Sequence, residues 1–474
     1  MTIVLSLTIF HSSTRHNEFD GQNITVNPIK PESAEKKYQD WPFAILFVVN
    51  VGVIQILMAS GVNAIKSNNN LRDTLSDNDT KALLIVASGM MILAMVVAVM
   101  MTKIIPSSAR GMIIFVLWLN FGVAAAFAGI GIAFGAFALV AVGVIIAVLN
   151  WCYVRSVKRR IPLAVAQLRI AEVANSNNRA TYVVAIVFAM LQIFWMAMCS
   201  LALLGVISNS TQKSSSAQAQ QGGSYSWASA LLLLSFYWGI QVSKNVVHTT
   251  VAGTVAAFWY QTESLNTTTA SLKRTLTTSF GSICFGSLIV AILQTLHELA
   301  KTSRKSRGAA ACIAECLLSC LESIMEYFNR WAYVYVGVYG YSFMSAGKAV
   351  SQLFHQRGFT ALINDDLVHI VIRLTAIGVG LICAGFGAVV AELSDAFTFE
   401  SSTTLLAILG FIIGFSVALT PLAVISSSVA TIFVCFAEDP APFQRSHPEL
   451  YAALAQGWHS LHPEFIAQAG YWHA

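Results

Sequence analysis

Residues 226–260 read SWASALLLLSFYWGIQVSKNVVHTTVAGTVAAFWY. The first third is an apolar run suited to lipid. The rest places Tyr237, Trp238, Gln241, Lys244, Asn245, His248, Thr249 and Thr250 at bilayer depth, with no acidic residue in the stretch. Polar groups in hydrocarbon are costly, so they pair or line a wet cavity. Gly239, Gly253 and the Thr pair predict a helix that loosens, with Gly253 permitting the break and freed carbonyls facing a solute.

Working outward, the chain reads as a shell of membrane helices around this element. Of 474 residues, 56% are hydrophobic and 11% charged, against roughly 25% charged in soluble domains. In such a protein a net charge of +5 reports topology rather than nucleic-acid binding. The 8 cysteines contain no CxxC pair, so neither a zinc site nor a disulfide framework is expected.

Apolar runs predict spans at residues 41–62, 81–101, 182–207, 227–260, 275–297, 331–355 and 367–390. Residues 111–154 are long enough for two helices joined near Gly129-Ile130-Gly131, and residues 403–436 form a long run broken by Pro421. The expected fold is all-α, a polytopic membrane helical bundle of about ten transmembrane helices. Residues 1–40 form a polar N-terminal tail, 41–436 the transmembrane domain and 437–474 a C-terminal cytosolic tail.

The basic residues of 155–181 and of 298–330 both favour the cytosol, yet three predicted spans separate them. Either the 227–260 element crosses and partly returns, or 275–297 does not cross simply. Residues 155–181 also read as an interfacial amphipathic helix, with a plain connector as the alternative. Asn209-Ser210-Thr211 is a sequon in a Ser/Gln/Gly-rich loop with little basic charge, and marks Asn209 for glycosylation outside the cell. Asn23 is a second sequon, in the tail.

No phosphate-binding loop, dinucleotide fingerprint, hydrolase triad or HExxH is present. No enzyme chemistry, cofactor or metal is therefore expected, whereas a gradient-driven carrier needs none of these motifs. Cys312, Cys316 and Cys320 share a helical face, and juxtamembrane palmitoylation fits them better than a metal. Glu322 and Glu326 read either as vestibule charges or as a solvated helix face.

Tyr237, Trp238, Trp259 and Tyr260 in one element, and Tyr333, Tyr335, Tyr339 and Tyr341 in another, supply ring faces of the kind that hold quaternary ammonium ions. The alternative is an interfacial aromatic belt. His248 is read either as a proton-coupling group or as a neutral ring bonded to a neighbouring helix. Lys244 either snorkels or repels cations.

GIQVSKNVVHTTVAGTVAAFWY (239–260) resembles the signature of the choline transporter-like family. GSICFGSLIVAILQ (281–294), CLESIMEYFNRWAYVYVGVYGYSFMSAGKA (320–349) and ATIFVCFAEDP (430–440) match it in the same order. The tail AEDPAPFQRSHPELYAAL (437–454) is most similar to fungal-type and other microbial members. The resemblance implies a multi-pass plasma-membrane protein that moves choline, or ethanolamine, without sodium, with proton exchange as a mode that His248 would serve.

Gln241, Asn245, His248, Thr249, Val251, Ala252 and Gly253 match the signature. The tyrosine-rich segment 333–341 departs from animal members. The expected substrate-binding set is thus Tyr237, Trp238, Gln241, Asn245, His248, Thr249, Gly253, Tyr339 and Tyr341. The expected partners are a small organic cation and membrane lipid. A non-transporting scaffold or lipid-handling protein is the alternative.

Overall fold

The computed structural model describes residues 38–67, 78–115, 160–214, 224–303 apart from 263, 309–356, 367–393 and 402–461, with scattered positions between 118 and 158. The described residues are helical and contain no strand. The 1–37 tail with Asn23 and the predicted turn residues Ile130 and Gly131 lie outside them, while Gly129 is itself helical.

Among the described residues, seven helices are long and apolar enough to cross a membrane. They are α1 (Trp41–Ser67), α2 (Asn78–Ser107), α4 (Ala180–Ser214), α5 (Ser224–Trp259), α7 (Phe280–Ser303), α10 (Leu367–Leu393) and α11 (Ser402–Glu438). Between and after them come α3 (Ile161–Asn177), α6 (Thr267–Leu276), α8 (Ala309–Tyr339), α9 (Phe343–Gln356), α12 (Ala441–Ser446) and α13 (Pro448–Leu461).

The central element α5 differs from its expected form. It is unbroken over 36 residues, about 54 Å at 1.5 Å per residue. Its glycines serve packing instead of unwinding. At Gly253 a side chain would collide with Ser271, Arg274 and the Gly337 carbonyl, and at Gly239 with the Trp195 ring. In lipid a helix keeps its own backbone bonds satisfied, so small residues are more useful as contact points than as breaks.

Around α5 stand α4, α7, α8, α11 and the short α6. The helices α5, α8 and α11 run in the same direction. His248 on α5 meets Arg330 on α8, Gly253 meets Gly337, and Tyr260 meets Tyr339. Ser427 of α11 donates to the His248 carbonyl, and the carbonyl of Asp439, just past α11, accepts from Trp259.

Three other boundaries move. The predicted span 331–355 is the buried end of α8 followed by a separate α9. Gly340, at φ 70°, ends α8 in the left-handed conformation that glycine tolerates. Asp40 Oδ2 accepts from the Phe343 N–H at 2.9 Å and the Ser282 hydroxyl at 2.7 Å, tying the starts of α1, α7 and α9 together.

Helix α11 also continues through Pro421. Proline removes one helical donor, and Gln192 of α4 reaches this turn. Its Nε2 donates to the Ser416 carbonyl at 3.3 Å, and its Oε1 accepts from the Thr420 hydroxyl. The backbone of Asn209 lies inside α4, past the predicted end of that span at residue 207.

The full-length helices α4, α5 and α7 separate the two basic segments and place them at opposite ends of the bundle. The common cytosolic side expected for both is therefore lost. Residues 161–177 are a helix, but Leu163, Leu168, Ile170, Ala171 and Asn175 are buried, so α3 is wedged among helices rather than floating at an interface. It packs on α13, α11 and α2, and Asn175 Nδ2 donates to Ser428 at 2.7 Å. The segment after Glu438 packs back on the bundle. Phe443 stacks on Trp259 at 4.3 Å and Trp458 on Phe436 at 5.8 Å.

Gly61 of α1 and Gly205 of α4 touch backbone to backbone, while Gly52 of α1 faces open space. Gly205→Ile is expected to cost about 2 kcal/mol or more by forcing these helices apart. Gly52→Ile is expected to be neutral. Melting of the purified variants in detergent checks this, and equal melting temperatures would contradict it.

Candidate functional site

The polar side chains of α5 lie in a seam between α5, α7, α8 and α11. At one end Gln241 Nε2 is 3.3 Å from Gln294 Oε1. One turn further along α7, His297 Nδ1 is 2.9 Å from Glu322 Oε2, so Glu322 is a paired group rather than a merely solvated one. Glu326 lies 3.9 Å from Arg373. Tyr237, one turn from Gln241, is half-buried at this end.

Midway, Asn245 Nδ2 donates to Ser287 Oγ at 2.9 Å. Ser287 Oγ lies 3.4 Å from the Tyr333 hydroxyl, which donates to the Ile283 carbonyl at 3.2 Å. His248 Nε2 is 3.0 Å from the Arg330 carbonyl. A carbonyl only accepts, so Nε2 carries the proton. Asn329 Nδ2 donates to the Gly286 carbonyl at 3.2 Å.

Three buried acceptors in this midsection have no hydrogen-bond partner among the described residues. They are Thr249 Oγ1, Thr250 Oγ1 and Asn329 Oδ1. A helical threonine normally bonds back to the preceding turn, as Thr254 does to the Thr250 carbonyl at 2.9 Å. Leaving such groups unmet in a dry interior costs about 1–3 kcal/mol each.

At the far end the helix termini meet. Tyr260 follows α5, Tyr339 closes α8, and Glu438 closes α11. The Tyr339 hydroxyl donates to Glu438 Oε2 and lies 3.5 Å from the Tyr260 hydroxyl. The rings of Tyr335, Tyr339 and Tyr341 touch one another, with centroids 5.2–6.1 Å apart.

The expected residues therefore do not gather in one cage. Tyr237 and Gln241 stand at one end, Asn245, His248 and Thr249 in the middle, and Tyr339 and Tyr341 at the other. Tyr237 and Tyr260 are 23 positions apart, about 34 Å along a helix, or one hydrocarbon thickness. Trp238 is occupied in packing: its N–H donates to the Cys284 carbonyl at 3.0 Å and its ring meets Phe47 edge-on at 5.1 Å. Gly253 is a contact point.

Sequence reading missed Ser287, Gln294, Asn329 and Glu438. All four lie inside the segments that carry the family resemblance. Ser287 is a polar residue in an apolar run, which was the available signal there, whereas Gln294 and Asn329 stand beside Thr295 and Arg330 and do not stand out. Among the described residues no group of three or more His, Cys, Asp and Glu side chains is placed to hold a metal. Cys316 and Cys320 are free thiols.

A polar seam threaded through long apolar helices fits solute movement, and comparison with known proteins supplies the family. A sequence profile of the plasma-membrane choline transporters matches residues 140–441. The chain belongs to the choline transporter-like family. It is 28% identical over 460 residues to Protein PNS1 of Gibberella zeae, covering 89% of this chain and 83% of that protein. It is 27% identical over 443 residues to a CTL-like protein of Dictyostelium discoideum, covering 90% and 76%.

Protein PNS1 of Mycosarcoma maydis is 32% identical over 321 residues, which is 63% of this chain and 59% of that protein. As a choline transporter-like protein, this chain is a helical membrane transporter whose seam, on α5, α7, α8 and α11, lies within the matched residues. Of the choline transporter-like segments quoted above, 430–440 brings Glu438 to the tyrosines and seats the end of α5 on Asp439.

Proposed function

We propose that the protein is a secondary transporter that moves choline or a related organic cation along the seam, without sodium and without an enzymatic step. The observation that carries this reading is the set of unmet buried acceptors, Thr249, Thr250 and Asn329. A folded membrane protein tolerates such groups where a hydrated solute periodically satisfies them.

Asn245 and Gln241 are the hydroxyl-bonding groups in this reading, and the tyrosines at the two mouths meet the ammonium head. Proton exchange runs through His248, whose second ring nitrogen is the acceptor. The more basic end of the bundle, where α3 and α6 lie, faces the cytosol of a plasma-membrane protein.

Purified protein in vesicles tests the proposal by uptake of labelled choline with sodium replaced by potassium. Uptake well above empty vesicles, competed by tetramethylammonium and lowered in His248→Gln when a pH gradient drives it, is expected. Vesicles no more permeable than protein-free ones would overturn it.

A further inference from the structure

The mouth where α5, α8 and α11 finish has an electrostatic character that none of these helices has alone. Each C-terminus carries roughly half a negative charge. Three such ends meet here, and the Glu438 carboxylate adds to them. Around it stand the rings of Tyr260, Tyr335, Tyr339 and Tyr341, with Tyr339 hydrogen-bonded to Glu438. Burial holds the Tyr260 and Tyr341 phenols above their ordinary range, and Glu438 pushes both the same way. Those rings therefore stay neutral, and Glu438 is the acidic side chain hydrogen-bonded among them.

We propose that Tyr260, Tyr335, Tyr339, Tyr341 and Glu438 form a cation-binding site for a quaternary ammonium head at this mouth of the seam, and that Tyr341 is the ring that moves to admit it. This rests on the transporter reading and assigns that path a selective end. A tetraalkylammonium ion is large, weakly hydrated and has no N–H, so ring faces hold it better than hydroxyls do. The Glu438 carboxylate, hydrogen-bonded to Tyr339 through one oxygen, adds its field to that of the ring faces.

The three rings of α8 and its terminal link are in mutual contact, so the site is closed as it stands. Tyr341 is the ring able to open it. It lies in the non-helical link 340–342, directly after the left-handed Gly340, and is only partly buried. Tyr335 and Tyr339, by contrast, are buried on α8.

The test is equilibrium binding of labelled choline to the purified full-length protein in nanodiscs, alongside vesicle flux. Glu438→Gln is expected to weaken choline and tetramethylammonium binding about 10-fold, and Tyr341→Ala about 5-fold, with ethanolamine a weaker competitor of the wild type. If Glu438→Gln does not yield folded protein, Tyr341→Ala, in an irregular link, decides alone. Unchanged binding in the folded variants of a wild type that transports would overturn this site and leave the transporter reading intact. A wild type that neither binds nor transports would overturn both.

Discussion

Gly253→Leu is expected to leave almost no correctly folded protein. Helices α5 and α8 cross where Gly253 faces Gly337. Any side chain at 253 meets Ser271 and Arg274 of α6 and the Gly337 carbonyl, and one at 337 meets the Thr249 carbonyl. The Arg274 guanidinium can swing aside, but the other two neighbours cannot retreat cheaply. The Gly337 carbonyl is main chain inside a helix, and the Ser271 hydroxyl is bonded to the Thr250 carbonyl at 2.9 Å. Forcing a leucine in costs about 3 kcal/mol or more, a large share of a membrane protein's margin.

Gly253→Ala should be intermediate. Size-exclusion profile and melting temperature in detergent check both variants. A hinge at this position would behave differently, because alanine would then stop flux while yield and melting stayed normal. That pattern would contradict the close-packed crossing.

Trp238→Ala carries the second large effect, and it is expected through stability. The indole is buried against α7 and α1, and it loses its bond to the Cys284 carbonyl and its contact with Phe47 when truncated. Removing a buried tryptophan costs about 3–5 kcal/mol. The amount of folded protein should fall sharply, while the surviving fraction keeps its KM for choline. Trp118→Ala, at a ring 70% exposed on the bundle's outside, should change neither. A normally folded Trp238→Ala protein with a raised KM would instead put that ring against the solute.

These two residues also show what was legible in the sequence. The helical class, the centrality of α5 and the membership of Gln241, Asn245 and His248 in its polar face were readable, because uncompensated polar groups in an apolar run have few explanations. The conformation of Gly253 was not. Glycine at bilayer depth serves both as a break and as a contact, and only the position of Gly337, far along the chain, decides between them.

Pro421 failed as a breaker for a similar reason. Gln192 from another helix ties down the neighbouring Ser416 carbonyl and Thr420 hydroxyl, so the turn is held although proline cannot bond the Val417 carbonyl. The sequence reading joined Tyr237 to Tyr339 because both are aromatic. Parallel α5 and α8 instead bring Tyr339 to Tyr260, and parallel α11 brings in Glu438, whose partners cannot be counted from local spacing.

In the proposed path solute passes beside Asn245, where α5, α7 and α8 share a hydrogen-bonded core. Counterflow in proteoliposomes loaded with unlabelled choline tests this most directly, comparing wild type with Asn245→Leu after matching both for folded protein. The amide removed is the donor to Ser287 at 2.9 Å, and leucine keeps the same branched shape. Labelled choline should accumulate in wild-type vesicles and fall by about tenfold or more in the variant. Equal accumulation in the two, or none above protein-free vesicles in either, would contradict the account.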